Sequence, residues 1–243
     1  MTQTPSTSYI ICATPRSGST LLCEALRNTG LAGNPDEYFG PMHVSRWNKE
    51  WQTKNDTEYL TKALNHGTTP NGVFGAKIMR VYWDHVITQL NNTQQTDLPE
   101  PELLSSTFPN VQYIWITRRN KVRQAVSWCK FLQGVAWYWT EEEPQKLAKE
   151  LEYKYDVIDA FIHEVACYEA AWQEFFDACG ISPHVVVYED FIQTYESTAL
   201  QILEHLKIPT PRNLIFSPRK LKKQADDLSE KWVKKYGEQK QKQ

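Results

Sequence analysis

Residues 11–26 read ICATPRSGSTLLCEAL, an apolar run that meets a loop of small residues and continues into an amphipathic segment. This order of strand, glycine-containing loop and helix is typical of a phosphate cradle, in which the first amides of the helix point at an anion. Gly18 and Thr20 stand where the pattern G-x-x-x-x-G-K-[ST] requires them, but Ala13 replaces its first glycine and Ser19 replaces its lysine. We therefore expect a loop that holds one phosphate without the usual lysine contact to a γ-phosphate.

Further apolar runs predict the other strands of a sheet. Together with the run at 9–13, they cover 72–79, 111–117 and 184–188. Continuous apolar runs are typical of strands whose two faces are both buried in a parallel sheet. The periodicity between them predicts helices at 17–29, 120–136, 142–178 and 190–207, a capping box at 140–143 and a polar surface loop at 91–107. We expect an α/β fold, namely a P-loop-like three-layer sandwich with a central parallel sheet.

Composition limits the class of protein. The 243 residues carry a formal net charge of −2, which provides no overall attraction for nucleic acid. No apolar run approaches the roughly 20 residues that a membrane span needs, and the five cysteines have neither disulfide nor metal-site spacing. Since the amino terminus lacks a signal-peptide pattern, we expect one cytoplasmic domain over 1–243 without a bound metal. Its residues 218–243 are basic and are expected to be helical.

The loop after the first strand offers several groups to an anion. Amides at a helix N-terminus favour negative charge, Gly18 allows the backbone to approach closely, and the guanidinium of Arg16 suits phosphate oxygens. The candidate ligands are Pro15, Arg16, Ser17, Gly18, Ser19 and Thr20. A simpler interpretation is that the Ser-Gly-Ser segment only caps the helix.

A second basic group follows the strand at 111–117. Arg118 and Arg119 stand at its end, and Ser127 lies on the next predicted helix. Because the carboxyl ends of parallel strands share one edge of a sheet, these side chains are expected near the first loop, where they would hold a second phosphate. An isolated strand-end arginine is more often a solvated cap. No predicted strand ends in an aspartate suited to magnesium, which disfavours a metal-dependent triphosphate reaction.

Several stretches together resemble one enzyme family. They are PRSGSTLL (15–22), TGLAGNPDEYF (29–39), PNGVFGAKIM (70–79), RQAVSW (123–128) and the pattern QAD…S-x-x-W-V-x-x-Y (224–236). In this order they resemble the trehalose 2-sulfotransferase family, within the superfamily that uses 3′-phosphoadenosine 5′-phosphosulfate (PAPS) as donor. The resemblance runs over nearly the full chain. It implies a sulfotransferase fold and sulfuryl transfer to a hydroxyl of trehalose or a related glycoside, and it allows a homodimer.

The resemblance also implies roles for the two basic groups. The first loop would hold the 5′-phosphosulfate, and Arg16 would neutralise the leaving phosphate as its bridge to sulfur breaks. An arginine and Ser127 would hold the 3′-phosphate. The spacing in most sulfotransferases selects Arg119 for that contact, whereas the trehalose-type pattern selects Arg118, which we favour.

The general base is expected at Glu37, where the family places an acidic residue. A helix rises about 1.5 Å per residue and an extended chain covers about 3.3 Å, so Glu37 just returns to the level of the loop, while Asp36 points away. Apolar Tyr38 and Phe39 would raise the pKa of Glu37, which suits a base. A solvated loop acid is the alternative interpretation. Histidine is the rival base, and the nearby candidates are His43, His66 and His85.

Two further features have both a functional and a structural interpretation. Lys77, at the end of a predicted strand, either stabilises charge on the transferring group or lies in water. Aromatic residues either form a platform for a sugar or pack in the core. They are Trp47 and Trp51, with Asn48 and Gln52 beside them, and Trp137, Tyr138 and Trp139.

Two other functions compete with sulfuryl transfer. One is a nucleotide kinase with a degenerate phosphate loop, which magnesium dependence would favour. The other is a nucleotide-binding protein that has lost catalysis. The presence of Arg16, Glu37 and Ser127 together disfavours such a loss.

Overall fold

The computed structural model describes residues 4–134, 151–221 and 226–242. Within them lies a four-stranded sheet in the order β2-β1-β3-β4, and each neighbouring pair is parallel. The strands are β1 (Thr7–Ala13), β2 (Val73–Met79), β3 (Val111–Thr117) and β4 (His184–Val187). In the register, Ile11 of β1 lies opposite Lys77 of β2 and Ile114 of β3. The four predicted strands and the parallel sheet are confirmed.

The chain order of the strands creates a crevice at the carboxyl edge of the sheet. β2 lies on one side of β1 and β3 on the other, so the connections that leave β1 and β3 run in opposite directions. In open parallel sheets, ligands bind at such a switch point. The loops that carry Arg16 and Arg118 follow these two strands and therefore flank the crevice.

Ten α-helices and one 3₁₀ turn (Arg80–Tyr82) accompany the sheet in the described part of the chain. The helices are α1 (Ser19–Arg27), α2 (Pro41–Trp51), α3 (Asp56–Gly67), α4 (Trp83–Gln94), α5 (Glu100–Thr107), α6 (Lys121–Leu132), α7 (Tyr155–Ala178), α8 (Tyr188–Phe191), α9 (Tyr195–His205) and α10 (Asp227–Lys240). None of them is long and apolar enough to cross a membrane.

The prediction of a surface loop at 91–107 is wrong, because α4 and α5 occupy most of it. Pro99 is the N-cap of α5 and Pro101 lies in its first turn, where a missing amide costs no hydrogen bond. Leu103 and Leu104 then bury the helix against the core. The prolines therefore start this helix.

Two helix predictions need new boundaries. The helix expected at 190–207 is interrupted between α8 and α9, where the hydroxyl of Thr194 bonds to the carbonyl of Asp190 and competes with the helical pattern. The helix expected at 142–178 is absent at 151–154, because both backbone polar groups of Glu152 bond to the side chain of Gln133. The capping box at 140–143 lies outside the described residues.

Two apolar clusters on opposite faces of the sheet confirm the three-layer sandwich. One face packs against α2, α3, α4, α5 and α7, with Phe74, Trp83 and Trp172 among its fully buried side chains. The other face packs against α1 and α9 through residues such as Leu22 and Ile202. Both faces of the central strands are therefore covered, as their apolar sequences predict.

The last described helix is fixed to α6. Trp232 and Tyr236 of α10 pack against the apolar side of α6. Lys130 of α6 is 3% exposed, and its ammonium donates to both carboxylate oxygens of Asp226, at 2.7 and 2.8 Å. Of the basic segment expected to be helical over 218–243, the described helix covers Asp227–Lys240, and residues 218–221 are not helical.

Candidate active site

The loop after β1 is shaped by two residues with positive φ. Arg16 has φ 60° and Gly18 has φ 96°, and Gly18 is the N-cap of α1. A Cβ on Gly18 would lie 2.3 Å from Cδ2 of Tyr188, so the ring of Tyr188 rests directly on the loop. Gln124 of α6 supports the other side by donating from Nε2 to Thr14 Oγ1 at 2.9 Å and to the Pro15 carbonyl at 2.7 Å. The loop is thus held by groups from the connections that follow β3 and β4.

Arg16 reaches across the crevice to the second predicted group. Its Nε donates a 2.9 Å hydrogen bond to the Oγ of Ser127 on α6. Burial, and then the charge of Arg118, lower the pKa of Arg16 to about 10, which still leaves the guanidinium protonated at neutral pH. Two part-buried guanidinium groups that repel each other at one edge of the sheet form an environment that favours an anion.

The two candidate arginines after β3 point to different places. Arg118 turns inward, where its Nη1 donates to the carbonyl of Arg16 at 3.4 Å and its guanidinium lies 4.6 Å from the centre of the Tyr188 ring. Arg119 points outward, and its side chain is 59% exposed in a bidentate pair with Asp190. The structure therefore brings Arg118, and not Arg119, to the loop.

Two polar atoms of this site test whether it fits a phosphate group. Within residues 4–134, 151–221 and 226–242, the Oγ of Ser17 and the Nε of Arg118 are buried without a hydrogen-bond partner. The nearest acidic group to the latter is Glu189, at 3.8 Å. Buried polar atoms are normally paired, and phosphate oxygens would accept from both donors. The first amides of α1, at Ser19 and Thr20, have no intrahelical acceptor either. The residues present therefore fit a phosphate-bearing donor.

The segment that carries Glu37 returns to the sheet beside β2. Asp36 forms a parallel bridge with Ala76, and its carbonyl accepts from the amide of Lys77 at 3.0 Å. The carboxylate of Asp36 turns back onto the amide of Glu37, at 2.7 Å. Glu37 itself is 3% exposed. Its interpretation as a solvated loop acid is therefore wrong.

Three side chains contact the carboxylate of Glu37. Oε2 lies 2.7 Å from Nε2 of His43 and 3.6 Å from Nζ of Lys77, and Oε1 accepts from the hydroxyl of Tyr82 at 3.0 Å. Burial favours the protonated carboxyl, but Lys77, His43 and Tyr82 outweigh it and lower the pKa of Glu37 to about 2. The raised pKa expected from Tyr38 and Phe39 is therefore wrong, because these three donors stabilise the ionised form.

Lys77 connects the carboxylate to the phosphate loop. Its ammonium donates to the Oγ1 of Thr20 at 3.2 Å while lying 3.6 Å from Glu37. The residue is 3% exposed, so its interpretation as a solvated strand-end lysine is wrong. Lys77 stands opposite Ile11 in the register. The pairing of β1 with β2 therefore fixes the position from which Lys77 contacts both Thr20 and Glu37.

The remaining candidates that the structure describes, two histidines and two tryptophans, do not contact the carboxylate of Glu37 with their side chains. His66 packs against Trp47 and Trp51, and His85 is exposed on α4. Trp47 is 4% exposed, stacks on Trp51 and donates to the carbonyl of Glu37 at 3.3 Å. Trp47 is therefore a core residue, and its interpretation as a sugar platform is wrong. The aromatic residues at 137–139 lie outside the described residues.

Sequence reasoning missed two partners of Glu37. Tyr82 was not considered, and His43 was named as a rival base without a motif to support it. A signal existed for Tyr82, because it follows the carboxyl end of β2 by three residues, at the ligand edge of the sheet. His43 lies in the first turn of α2, a helix that we did not predict. In the described residues there is no group of three or more His, Cys, Asp and Glu side chains that could hold a metal ion.

The family model and the two curated relatives agree on one class of protein, the sulfotransferases. The family model described as Stf0 sulphotransferase matches residues 8–239. Trehalose 2-sulfotransferase of Mycolicibacterium smegmatis is 30% identical over 262 residues, which cover 95% of this chain and 94% of the relative. The protein of the same name from Mycobacterium tuberculosis is 27% identical over 259 residues, with 94% and 93% covered. A solved sulfotransferase structure from Alicyclobacillus acidocaldarius gives a TM-score of 0.48 at 13% identity, covering 96% of this chain and 92% of the other.

Proposed function

The chain belongs to the Stf0 sulphotransferase family, and from this premise we propose that it transfers a sulfuryl group from PAPS to a hydroxyl of a small carbohydrate. The single observation that carries the proposal is the 2.9 Å bond between Arg16 and Ser127, which joins the two predicted anion sites across the switch point. The trehalose 2-sulfotransferases that align along most of both chains support trehalose or a related glycoside as acceptor.

We assign the two ends of the donor to the two basic groups. The loop from Pro15 to Thr20 and the N-terminus of α1 bind the 5′-phosphosulfate, and Arg118 with Ser127 binds the 3′-phosphate. The buried and unbonded Oγ of Ser17 and Nε of Arg118 support this assignment. When bound, PAPS supplies a sulfuryl group on a phosphate leaving group, so the site needs no lysine clamp for a γ-phosphate.

The residues around the crevice then have distinct tasks in the transfer. Arg16 neutralises the charge that develops on the departing phosphate. Glu37 acts as the general base toward the acceptor hydroxyl. Lys77 holds the base and the donor loop in one geometry, through its contacts to Glu37 and Thr20. A fixed distance between base and donor favours an in-line attack of the hydroxyl oxygen on sulfur.

The compartment and the oligomeric state of the protein complete the proposal. All five cysteines are free thiols, which supports an enzyme of the reducing cytoplasm. The homodimer stays a prediction that rests on the family resemblance.

The first experiment is calorimetric titration with adenosine 3′,5′-bisphosphate in the absence of magnesium. ATP with magnesium and adenosine 5′-monophosphate serve as controls. Binding that requires the 3′-phosphate is the expected result, followed by transfer of labelled sulfate from PAPS to trehalose. A preference for ATP with magnesium would contradict the proposal and favour a kinase. Donor binding without transfer to any sugar would favour the catalytically inactive protein.

A further inference from the structure

Arg80 has no task in the transfer proposed above, although it stands beside residues that have one. It directly follows β2 and opens the 3₁₀ turn that carries Tyr82. Its side chain is 23% exposed, and its Nη1 lies 3.3 Å from Oδ1 of Asp84, a side chain that is 90% exposed. Within the described chain, the Nε of Arg80 is buried without a hydrogen-bond partner. Because buried donors are normally paired, we expect this guanidinium to take a further acceptor.

Helix α7 packs against the 3₁₀ turn at the carboxyl edge of the sheet. Nε1 of Trp172 donates to the carbonyl of Ala13, the last residue of β1, at 3.0 Å. The hydroxyl of Thr117, the last residue of β3, donates to Glu169 of α7 at 2.6 Å. Since α7 leads back to the start of β4, its residues before Trp172 stand at or above that edge. Tyr168 is one turn before Trp172, on the same side of the helix.

Tyr168 joins Arg80 to an acidic side chain of α7. Its hydroxyl donates to the carboxylate of Glu164. Burial and the bonded Glu164 raise the pKa of Tyr168, and the positive charge of Arg80 opposes them, so the guanidinium lies close enough to act on the phenol. All three side chains are partly exposed. Arg80, Glu164 and Tyr168 are called the Arg80 cluster below.

The Arg80 cluster lies on the acceptor side of the crevice. The groups proposed to hold the donor follow β1 and β3, whereas Arg80 follows β2. Two residues after Arg80, the hydroxyl of Tyr82 donates to Oε1 of Glu37 at 3.0 Å. The acceptor hydroxyl has to reach Glu37 to lose its proton. A molecule bound there therefore has the carboxyl end of β2, and with it Arg80, beside it.

The chemistry of the cluster suits a neutral molecule with several hydroxyl groups. A guanidinium only donates hydrogen bonds and an ionised carboxylate only accepts them, whereas a hydroxyl does both. A sugar can therefore satisfy Arg80 and Glu164 together. A sulfate or phosphate group could bond to Arg80, but it would be repelled by the carboxylates of Glu164 and Asp84. The mixture of charges thus favours an uncharged polyol over an anion.

We propose that the Arg80 cluster binds hydroxyl groups of the carbohydrate acceptor other than the one that receives the sulfuryl group. This inference rests on the proposed function and names the residues that would recognise its acceptor. Arg80 donates to the oxygens of these hydroxyl groups through Nε and its free Nη positions, and Glu164 accepts from their hydrogens. The sugar is thereby oriented with the reacting hydroxyl toward Glu37.

The test separates acceptor binding from donor binding and from turnover. Trehalose is titrated by calorimetry into the full chain saturated with adenosine 3′,5′-bisphosphate, and kcat and KM are measured with PAPS. Arg80→Met removes the donors and keeps an unbranched side chain. Tyr168→Phe removes only the hydroxyl that bonds to Glu164. Arg212→Met, at an exposed arginine after α9, is the matched control.

We expect Arg80→Met to weaken trehalose binding about 10- to 100-fold and to raise KM in parallel, because a hydrogen bond to a charged group is lost. The affinity for adenosine 3′,5′-bisphosphate and kcat at saturating trehalose should stay near the wild-type values. Tyr168→Phe should weaken trehalose binding about 2- to 10-fold, and Arg212→Met should behave as the wild type.

Three results would overturn the inference. One is wild-type affinity for trehalose in both variants. Another is a lower kcat in Arg80→Met with trehalose affinity unchanged, which would mean that Arg80 only positions the turn that carries Tyr82. The third is tighter binding of trehalose 6-phosphate than of trehalose, lost in Arg80→Met, which would make the cluster an anion site.

Two further outcomes are also decisive. If Arg80→Met does not fold, Tyr168→Phe alone decides, and wild-type trehalose affinity in that variant contradicts the inference. A wild type that transfers no sulfuryl group from PAPS to any sugar would instead contradict the proposed function.

Discussion

The Nε of Arg16 donates a 2.9 Å hydrogen bond to the Oγ of Ser127, although the two residues lie 111 positions apart in the chain. One belongs to the loop after β1 and the other to the helix after β3, so the bond spans the point where the chain leaves the sheet in opposite directions. The contact keeps the two halves of the proposed donor site at a fixed separation. A donor with phosphates at both ends would bind this preformed arrangement without a large rearrangement.

Arg118 and Arg119 form a matched pair for testing donor binding. Arg118→Met should weaken binding of adenosine 3′,5′-bisphosphate about 10- to 100-fold, because a charged hydrogen bond contributes roughly 1.5–3 kcal/mol. Arg119→Met should leave the affinity nearly unchanged, since that side chain is paired with Asp190 at the surface. Calorimetry of both variants checks this. A larger loss of affinity in Arg119→Met than in Arg118→Met would instead favour Arg119, the residue selected by the spacing in most sulfotransferases.

Glu37→Gln should reduce kcat by about 10²- to 10⁴-fold while donor affinity stays near the wild-type value. The amide removes the base but keeps the size of a side chain that does not contact the loop directly. Steady-state kinetics and calorimetry measure the two effects separately. Glu50→Gln, at an exposed acid on α2, controls for the loss of one negative charge. Full activity of Glu37→Gln would show that another group accepts the proton.

The same carboxylate should make the fold sensitive to acid. Its pKa is about 2 in the folded protein, well below the ordinary carboxyl range near 4.3. A depressed pKa stabilises the fold fully above that ordinary range, and the contribution is lost as pH falls toward 2. We expect the difference in unfolding free energy between wild type and Glu37→Gln to be constant above about pH 5 and to shrink below it. Urea unfolding at a series of pH values tests this, and a constant difference down to pH 3 would disagree with it.

Gly18→Ala should damage the site through sterics alone. The new Cβ would lie 2.3 Å from the Tyr188 ring, and the φ of 96° is unfavourable for alanine. We expect a loss of stability of about 1–3 kcal/mol and weaker donor binding. Gly237→Ala is the matched control, because no atom lies within 4 Å of the added Cβ and the residue is in α10, where alanine favours the helix. Thermal unfolding of both proteins distinguishes the two glycines.

The strands and the first loop could be predicted because their signals are local. A run such as 72–79 is apolar regardless of what covers it, and a glycine such as Gly18 between a strand and a helix suits a phosphate loop in any parallel sheet. The roles of Arg118 and Arg119 could not be separated in this way. Their difference depends on Tyr188 and Asp190, which belong to a distant strand connection that only the folded chain brings near.

The surroundings of Glu37 were harder to predict for the same reason. A carboxylate beside Tyr38 and Phe39 suggests an apolar pocket, but its charge state is decided by Lys77, Tyr82 and His43. These partners come from β2, the turn after it and a helix that we did not predict. Sequence therefore located the carboxylate and gave the wrong direction for its pKa.

The ion pair between Lys130 and Asp226 can form only late in the synthesis of the protein. Its partners are 96 positions apart, and Lys130 lies on the same helix as Ser127. On the ribosome, α6 emerges long before α10, so for that interval its apolar side lacks Trp232 and Tyr236 and its ammonium lacks its counter-ion. We therefore expect a nascent chain that ends before Asp226 to expose an apolar face of α6 and an ammonium without its counter-ion.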